Sequence, residues 1–177
     1  MLEKVLIALA VLVILVLVVV ALQPADYRVA RGATIAAPPA AVFAQVNDLH
    51  KFQAWNPFAR MDPAAKNTFE GAPAGVGATL AWSGNAQIGE GRMTITESRP
   101  DELIRIRLDF ARPFASTSFA EFTFTPEGGR TAVTWSMTGH KNFVAKAIGL
   151  VMSMDRMIGG QFEQGLATLK SRTEVAG

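Results

Sequence analysis

The distribution of apolar residues separates one continuous apolar segment from several amphipathic ones. Residues 5–22 form an unbroken run of 18 Val, Leu, Ile and Ala residues. As a helix, this run is about 27 Å long, which is close to the thickness of a bilayer's hydrocarbon core. The run is apolar on every side and therefore offers no polar face to water. This pattern predicts a membrane-spanning helix within residues 1–22.

Two interpretations of the apolar segment remain open. A membrane anchor is favoured because the run exceeds the roughly 7–15 apolar residues of a usual signal peptide. A cleaved signal peptide is the alternative, since residues 19–21 offer small side chains at a cleavage point. The positive-inside rule is nearly balanced between Lys4 on one side and Arg28 and Arg31 on the other. We expect a single-pass membrane protein with its domain on the extracytoplasmic side.

The rest of the chain has the patterns of a mixed α and β domain. Residues 27–35 alternate between apolar and polar and predict a strand, which Pro38 and Pro39 end. Two short helices are expected before Pro57. From about residue 67, glycine-rich turns separate runs with a two-residue period, which is typical of antiparallel strands with one buried face. The resulting division into anchor, linker, domain and tail is 1–22, 23–26, 27–173 and 174–177.

The last part of the domain is predicted to be helical. Apolar residues recur at spacings of three and four over residues 143–169, so we expect a long helix whose apolar stripe lies across the sheet. A break near Ser153 into two helices is the alternative. Gly159 and Gly160 predict a kink, or a point where another group packs close to the backbone. Asp155 and Arg156 fall opposite the stripe and are expected to form a solvated pair.

Composition and charge exclude several classes of function. Half of the residues are apolar, the net charge is +2, and Lys and Arg are scattered singly along the chain. Nucleic-acid binding would require a clustered basic surface, so no nucleic-acid partner is expected. The chain has no cysteine, which excludes disulfides, thiolate metal sites and a cysteine nucleophile.

The polar residues predict no catalytic, cofactor or metal site. His50 is interpreted as a solvated loop residue, and His140 as a turn residue, with a place at a cavity mouth as the alternative. The two are far apart in sequence and form no zinc-binding pair. Asp109 and Glu121 alternate with apolar residues along their strands. We therefore expect both on the solvent-exposed face of the sheet, next to arginines. Glu90, between two glycines, is interpreted as a residue at a strand-edge bulge.

Five segments carry a resemblance to a known family: APPAAVF (37–43), VNDL (46–49), FQAWNPF (52–58), GEGRMTIT (89–96) and MIGGQFE (157–163). Together with the order of elements, they resemble the START/Bet v 1-like (SRPBCC) superfamily and its polyketide cyclase/dehydrase-like branch. The similarity covers about residues 27–173 and extends to membrane-anchored bacterial members. It implies an α+β helix-grip fold, in which a curved antiparallel sheet surrounds a long carboxyl-terminal helix and leaves a cavity.

The resemblance also implies a function, because members of this superfamily commonly hold hydrophobic ligands in that cavity. We therefore expect membrane-tethered, non-catalytic binding of a hydrophobic small molecule or lipid. A cyclase/dehydrase-type enzyme using the same cavity, or a structural interaction module, are the alternatives. The residues expected to line the cavity are Trp82, Met93, Ile95, Ile106, Leu108, Phe110, Phe122, Phe124, Trp135, Met137, Val151, Met154, Ile158 and Phe162.

Overall fold

The computed structural model describes residues 1–175. The helices are α1 (Leu2–Leu22), α2 (Pro39–Asn47), α3 (Leu49–Gln53), a 3-10 helix (Pro57–Arg60), α4 (Phe143–Gly149) and α5 (Met154–Val175). The strands are β1 (Asp26–Ile35), β2 (Lys66–Gly71), β3 (Ala78–Ser83), β4 (Glu90–Arg99), β5 (Leu103–Arg112), β6 (Ser116–Glu127) and β7 (Arg130–His140). Of the predicted tail, residues 174 and 175 belong to α5, and residues 176–177 lie outside the described residues.

The strands form one antiparallel sheet in the order β1-β7-β6-β5-β4-β3-β2. The first strand pairs with the last, so the chain segment that follows α1 lies beside the end of β7. The sheet is curved, and α5 lies across its buried face. The predicted α+β helix-grip architecture, preceded by one apolar helix, is confirmed.

Alternation along the strands sets which side chains face the core. On β7, Val133, Trp135 and Met137 are buried, whereas Thr134 and Thr138 between and beside them are exposed. Apolar residues on one face are thereby removed from water, which is the main favourable contribution to folding. The remaining core side chains come from α2, α3, α5 and the inner face of the other strands.

Charged side chains occupy the outer face of the sheet in pairs, both across strands and within one strand. Arg105 on β5 donates to Glu97 on β4 at 2.6 Å and to Glu121 on β6 at 2.7 Å. Arg107 and Asp109 form a second pair at 3.0 Å on β5 itself. The outward orientation predicted for the carboxylates of strands β5 and β6 is therefore observed.

The carboxyl-terminal helical segment is broken, as the alternative interpretation predicted. Helix α4 ends at Gly149 and α5 begins at Met154. The Ser153 hydroxyl accepts a hydrogen bond from the Arg156 backbone N–H at 3.3 Å, which satisfies one of the free donors at the start of α5. The prediction of one continuous helix over residues 143–169 is wrong.

Gly159 is the point where another group packs against the α5 backbone. The Arg31 guanidinium of β1 lies so close that a Cβ at Gly159 would collide with it. From there it donates to Asp155 at 2.9 Å and to Glu163 at 2.7 Å. These hydrogen bonds raise the pKa of Arg31, and the bond from Arg31 lowers the pKa of Asp155. The predicted pairing of Asp155 with Arg156 is therefore wrong, and α5 continues as a helix through the predicted kink.

The amino-terminal helix extends away from the domain. Among the described residues, α1 is the one helix with the length and apolar composition needed to cross a membrane, with a mean hydropathy of 3.7. Val20 is its one buried residue, near the end that meets the domain. Helix α1 contacts α4, whose Lys146 donates to the Ala21 carbonyl, and a short connection then leads to β1.

Candidate ligand cavity

A cavity of about 320 Å³ lies between the inner face of the sheet and the helical segments that cover it. Strands β3 to β7 supply most of its wall, α3 and the 3-10 helix cover one side, and the first two turns of α5 supply Met157 and Ile158. Met157, Asn67 and Gln87 of the lining are exposed, so the cavity meets solvent between the start of α5, strand β2 and the β3–β4 connection.

Aromatic side chains form the deepest part of the wall. The Trp135 ring stacks on Phe162 of α5 with centroids 3.9 Å apart, and on Phe122 of β6 at 4.9 Å. Phe52 of α3 meets both Phe122 and Trp135 edge to face. These rings pack against one another from β6, β7, α3 and α5 and so form a continuous aromatic cluster beside the cavity.

Trp82 forms the opposite end of the wall, near Phe110. The two rings meet edge to face at 5.7 Å, and the Trp82 indole N–H donates to the Ile88 carbonyl at 3.0 Å. Gly91 lies directly beneath the Trp82 ring, where a Cβ would overlap it. Glycine at this strand position therefore allows the ring to lie flat along the cavity, and Glu90 beside it pairs with Arg112 at a register shift of β4.

The indole N–H of Trp135 has no hydrogen-bond partner. Within residues 1–175, it is the one fully buried side-chain nitrogen or oxygen without a hydrogen-bond partner. The Trp135 residue as a whole is 3% exposed. A buried donor without a partner costs about 1–3 kcal/mol. Trp135 belongs to the cavity wall, but its ring nitrogen lies beneath the wall surface, so a molecule held in the cavity reaches it only if the indole or its neighbours shift.

The polar side chains of the lining are neutral amides: Gln53, Asn56, Asn67 and Gln87. The Asn56 amide donates to Gln53 at 3.2 Å and its oxygen accepts from the Phe58 backbone N–H at 3.1 Å. Over the described part of the chain, no Asp, Glu, His, Lys or Arg contributes to the lining. The cavity is thus apolar with a neutral polar margin.

Nine of the predicted residues lie in the cavity wall: Trp82, Met93, Ile106, Leu108, Phe110, Phe122, Trp135, Met137 and Ile158. Five lie elsewhere: Ile95, Phe124 and Phe162 are buried in the core, Met154 is partly buried at the start of α5, and Val151 is 85% exposed.

The sequence prediction missed the side chains that come from the helical segments and from β3. Phe52, Phe58 and Leu80 are lining residues of this kind. Leu80 shares the strand parity of Trp82, so alternation was a sufficient signal for it. The two phenylalanines belong to the FQAWNPF segment. This segment indicates the fold, but it does not show which way its side chains point.

Both histidines lie outside the lining of the cavity. The His50 ring stacks on Phe69 of β2 with centroids 3.7 Å apart, and neither residue contributes to the lining. His140 is exposed at the end of β7, where its Nδ1 lies 3.0 Å from Asp26. Of the two interpretations of His140, the structure supports a surface residue at the strand end.

A curved antiparallel sheet closed by a long helix over an apolar cavity defines the class of helix-grip proteins. The chain belongs to the family of polyketide cyclase/dehydrase and lipid transport proteins, which it matches over residues 27–174. A comparison with curated proteins gives no significant match.

Solved structures agree on the fold at low sequence identity. A protein from Chromobacterium violaceum is 17% identical with a TM-score of 0.60, covering 86% of this chain and 99% of its own. Norcoclaurine synthase from Thalictrum flavum is 10% identical with a TM-score of 0.64, over 86% and 96%. The di-domain aromatase/cyclase of steffimycin biosynthesis is 10% identical with a TM-score of 0.63, over 86% and 52%.

Proposed function

We propose that this protein binds an uncharged hydrophobic small molecule or lipid in the cavity, without catalysis, while α1 tethers the domain to a membrane. The observation that carries the proposal is an apolar cavity whose described lining residues include no ionisable side chain. A charged ligand would lose its hydration there without gaining a partner, which is strongly unfavourable. A neutral apolar ligand gains from the same surroundings.

The volume limits the size of the ligand. An apolar cavity of about 150 Å³ holds one benzene ring. The cavity here, at about 320 Å³, is roughly twice as large. It suits a molecule of about two rings or one short acyl chain. A phospholipid with two full acyl chains would have to leave most of its length outside.

Trp135 supplies a point of recognition within this apolar space. Its indole N–H has no acceptor in the protein, and a small shift of the ring on ligand binding would let a ketone, ester or hydroxyl oxygen on the ligand provide one. The preferred ligand is therefore neutral and largely apolar, with one oxygen placed against the Trp135 end of the cavity.

The tether rests on the length and composition of α1. Its 21 residues span about 31 Å as a helix, which matches a hydrocarbon core of about 30 Å. We place the domain on the extracytoplasmic side. A reporter that is active only outside the cytoplasm, fused after the last residue, is expected to be active, and an inactive reporter would overturn this orientation.

An enzyme of the cyclase or dehydrase type is the main alternative, and the names of the family and of two structural neighbours favour it. General acid–base catalysis needs a titratable group within hydrogen-bond reach of the substrate. The described lining offers amides and indoles instead, so binding is the better-supported function. A purely structural role is disfavoured by the cavity itself, since a compact core would serve it better.

The proposal is tested with two matched variants of the full chain. Ala120 on β6 lines the cavity. Ala132 on β7 alternates with the buried residues of that strand, so it lies on the outer face of the sheet. Ala120→Leu fills part of the cavity, whereas Ala132→Leu adds the same atoms outside it. The wild type and both variants are purified in the same detergent, and bound molecules are extracted and identified by mass spectrometry.

We expect a neutral apolar compound to accompany the wild type and Ala132→Leu and to be depleted in Ala120→Leu. The comparison removes the contribution of detergent and of lipids around α1, which are the same in all three proteins. Equal amounts of every extracted compound in the three samples would contradict the proposal. Depletion of an anionic compound instead would contradict its statement about charge.

A further inference from the structure

Helix α4 and its connection to α5 carry several exposed large apolar side chains. Val151 is 85% exposed and Met152 is 52% exposed. The other large apolar residues of the segment are about half exposed: Phe143, Val144, Ile148 and Leu150. Contiguous apolar surface of this kind marks an interaction site on a soluble domain.

This apolar segment, residues 143–152, is held against the end of α1. The Lys146 ammonium donates to the Ala21 carbonyl at 3.3 Å, and a cation at a helix carboxyl terminus is stabilised by the helix dipole. On the other side, the Lys141 backbone N–H donates to the Ala25 carbonyl at 2.7 Å. The middle of α4 and the residue two positions before it are thus joined to the end of α1 and to the connection that follows α1.

The length of α1 sets the depth of this junction. Helix α1 is about 31 Å long and the hydrocarbon core is about 30 Å thick, so nearly all of α1 is required for the crossing. Its carboxyl end must then lie at the boundary between acyl chains and headgroups. Helix α4, which contacts that end, lies at the same boundary.

We infer that residues 143–152 form a second membrane contact, with their apolar side chains in the boundary between headgroups and acyl chains next to the domain. The inference rests on the proposed tether. Charge agrees with this occupant, because residues 141–153 contain Lys141 and Lys146 and no acidic residue. Basic residues at the surface are attracted to anionic lipids, and apolar residues of an interfacial helix enter the boundary.

A consequence concerns access to the cavity. Met157 lies in the first turns of α5, directly after the apolar segment, and it lines the cavity while half exposed. With residues 143–152 on the membrane, the side of the opening that Met157 forms lies near the lipid surface. An apolar ligand then moves between bilayer and cavity without crossing much water.

The chain contains no cysteine, so single-cysteine variants can be labelled cleanly with an environment-sensitive nitrobenzoxadiazole dye. Val151→Cys reports on the proposed contact. Val175→Cys is the matched control, because Val175 is 88% exposed and lies at the opposite end of the 22-residue α5. Val11→Cys, in the middle of α1, reports on the tether alone.

Each labelled full-length protein is placed in vesicles of phosphatidylcholine with a minority of phosphatidylglycerol, with and without lipids that carry a nitroxide quencher on the acyl chain. We expect blue-shifted emission at positions 151 and 11 and the loss of most of it with the quencher. Emission from position 175 should be that of a dye in water and unaffected.

The outcomes separate the inference from the tether. Quenching at position 11 with unquenched, water-like emission at position 151 overturns the second contact and leaves the tether intact. Blue-shifted but unquenched emission at position 151 indicates a protein partner, such as a second copy, and also overturns it. No quenching at position 11 overturns the tether itself. Met152→Cys serves as a second reporter if Val151→Cys fails to fold.

Discussion

Gly159 and Gly160 are neighbours in α5 with opposite surroundings. A Cβ at Gly160 meets nothing within 4 Å, whereas one at Gly159 meets the Arg31 guanidinium. Alanine in an open helix interior is favoured over glycine by about 0.5–1 kcal/mol. We expect Gly160→Ala to raise the free energy of unfolding by about that amount, and Gly159→Ala to fall short of it because Arg31 must leave its two carboxylates.

Chemical denaturation of the two variants measures this difference, and Arg31→Ala provides the control. Without the guanidinium, the effects of the two alanine substitutions should move closer together, since the three atoms nearest to a Cβ at Gly159 all belong to Arg31. Equal effects in the wild-type background would show that Arg31 moves aside at no cost. A double-mutant cycle of this kind isolates the contact from helix propensity.

Trp135→Phe tests whether the unpartnered indole N–H takes part in ligand recognition. The substitution keeps an aromatic ring against Phe162 and removes the donor. A ligand with a carbonyl, such as 2-acetylnaphthalene, should bind the wild type about two- to tenfold more tightly than 2-ethylnaphthalene, which matches one hydrogen bond. The preference should vanish in Trp135→Phe. Dissociation constants for both compounds, measured by calorimetry, check this, and an unchanged preference would contradict it.

At the scale of elements, β1 and α5 are joined by the charged contacts of Arg31. The hydrogen bond from Arg31 lowers the pKa of Asp155 below the ordinary value of 3.8. A carboxylate with a lowered pKa in the folded state adds stability above its unfolded pKa and loses it as the pH falls through the folded value. Since Asp155 is largely exposed, salt should weaken the contribution.

Asp155→Asn is therefore expected to lower the melting temperature at neutral pH. The difference from the wild type should shrink as the pH falls below 3.8, the ordinary pKa of an aspartate. Thermal unfolding of both proteins across the acid range measures this difference. The control is Glu70→Gln, which removes the exposed ion pair between Glu70 and Arg92. Asp62→Asn would not serve, because Asp62 accepts hydrogen bonds from backbone N–H groups. A difference that does not change with pH would rule out the ionic contribution.

Alternation predicted the strands well, whereas the helical stripe misled about the end of α4. The two-residue period reports directly on which strand face is buried, and β5 to β7 follow it. The apolar residues before Ser153 fit the stripe of α5, but in the fold they face the surface beside α1. A helical period shows that residues lie on the same side of a helix. It does not show whether that side packs against the core, a membrane or another protein. The serine before Met154 was the available sign of a new helix.

At the scale of the whole molecule, parity alone could not separate cavity wall from solid core. Phe122 and Phe124 point to the same face of β6, yet only Phe122 lines the cavity. The ring of Phe43 on α2 fills the space next to Phe124, and the centroids of the two rings are 5.5 Å apart. Which part of an apolar face stays open therefore depends on where distant helices dock, and the family resemblance supplied the expectation of a cavity that the pattern lacked.

Binding and catalysis make different predictions about pH for the molecule as a whole. Histidine is the side chain whose ordinary pKa lies between about pH 5 and 8, and both histidines of this chain lie outside the cavity lining. A neutral ligand does not change its charge between about pH 5 and 8, and neither do the amide and indole groups of the lining. The dissociation constant of 2-acetylnaphthalene, measured by calorimetry with the full-length protein, should therefore stay constant from about pH 5 to 8. An acid–base enzyme would instead show a bell-shaped dependence of turnover on pH. A dissociation constant that changes tenfold across this range would place a titratable group at the ligand and favour the enzyme.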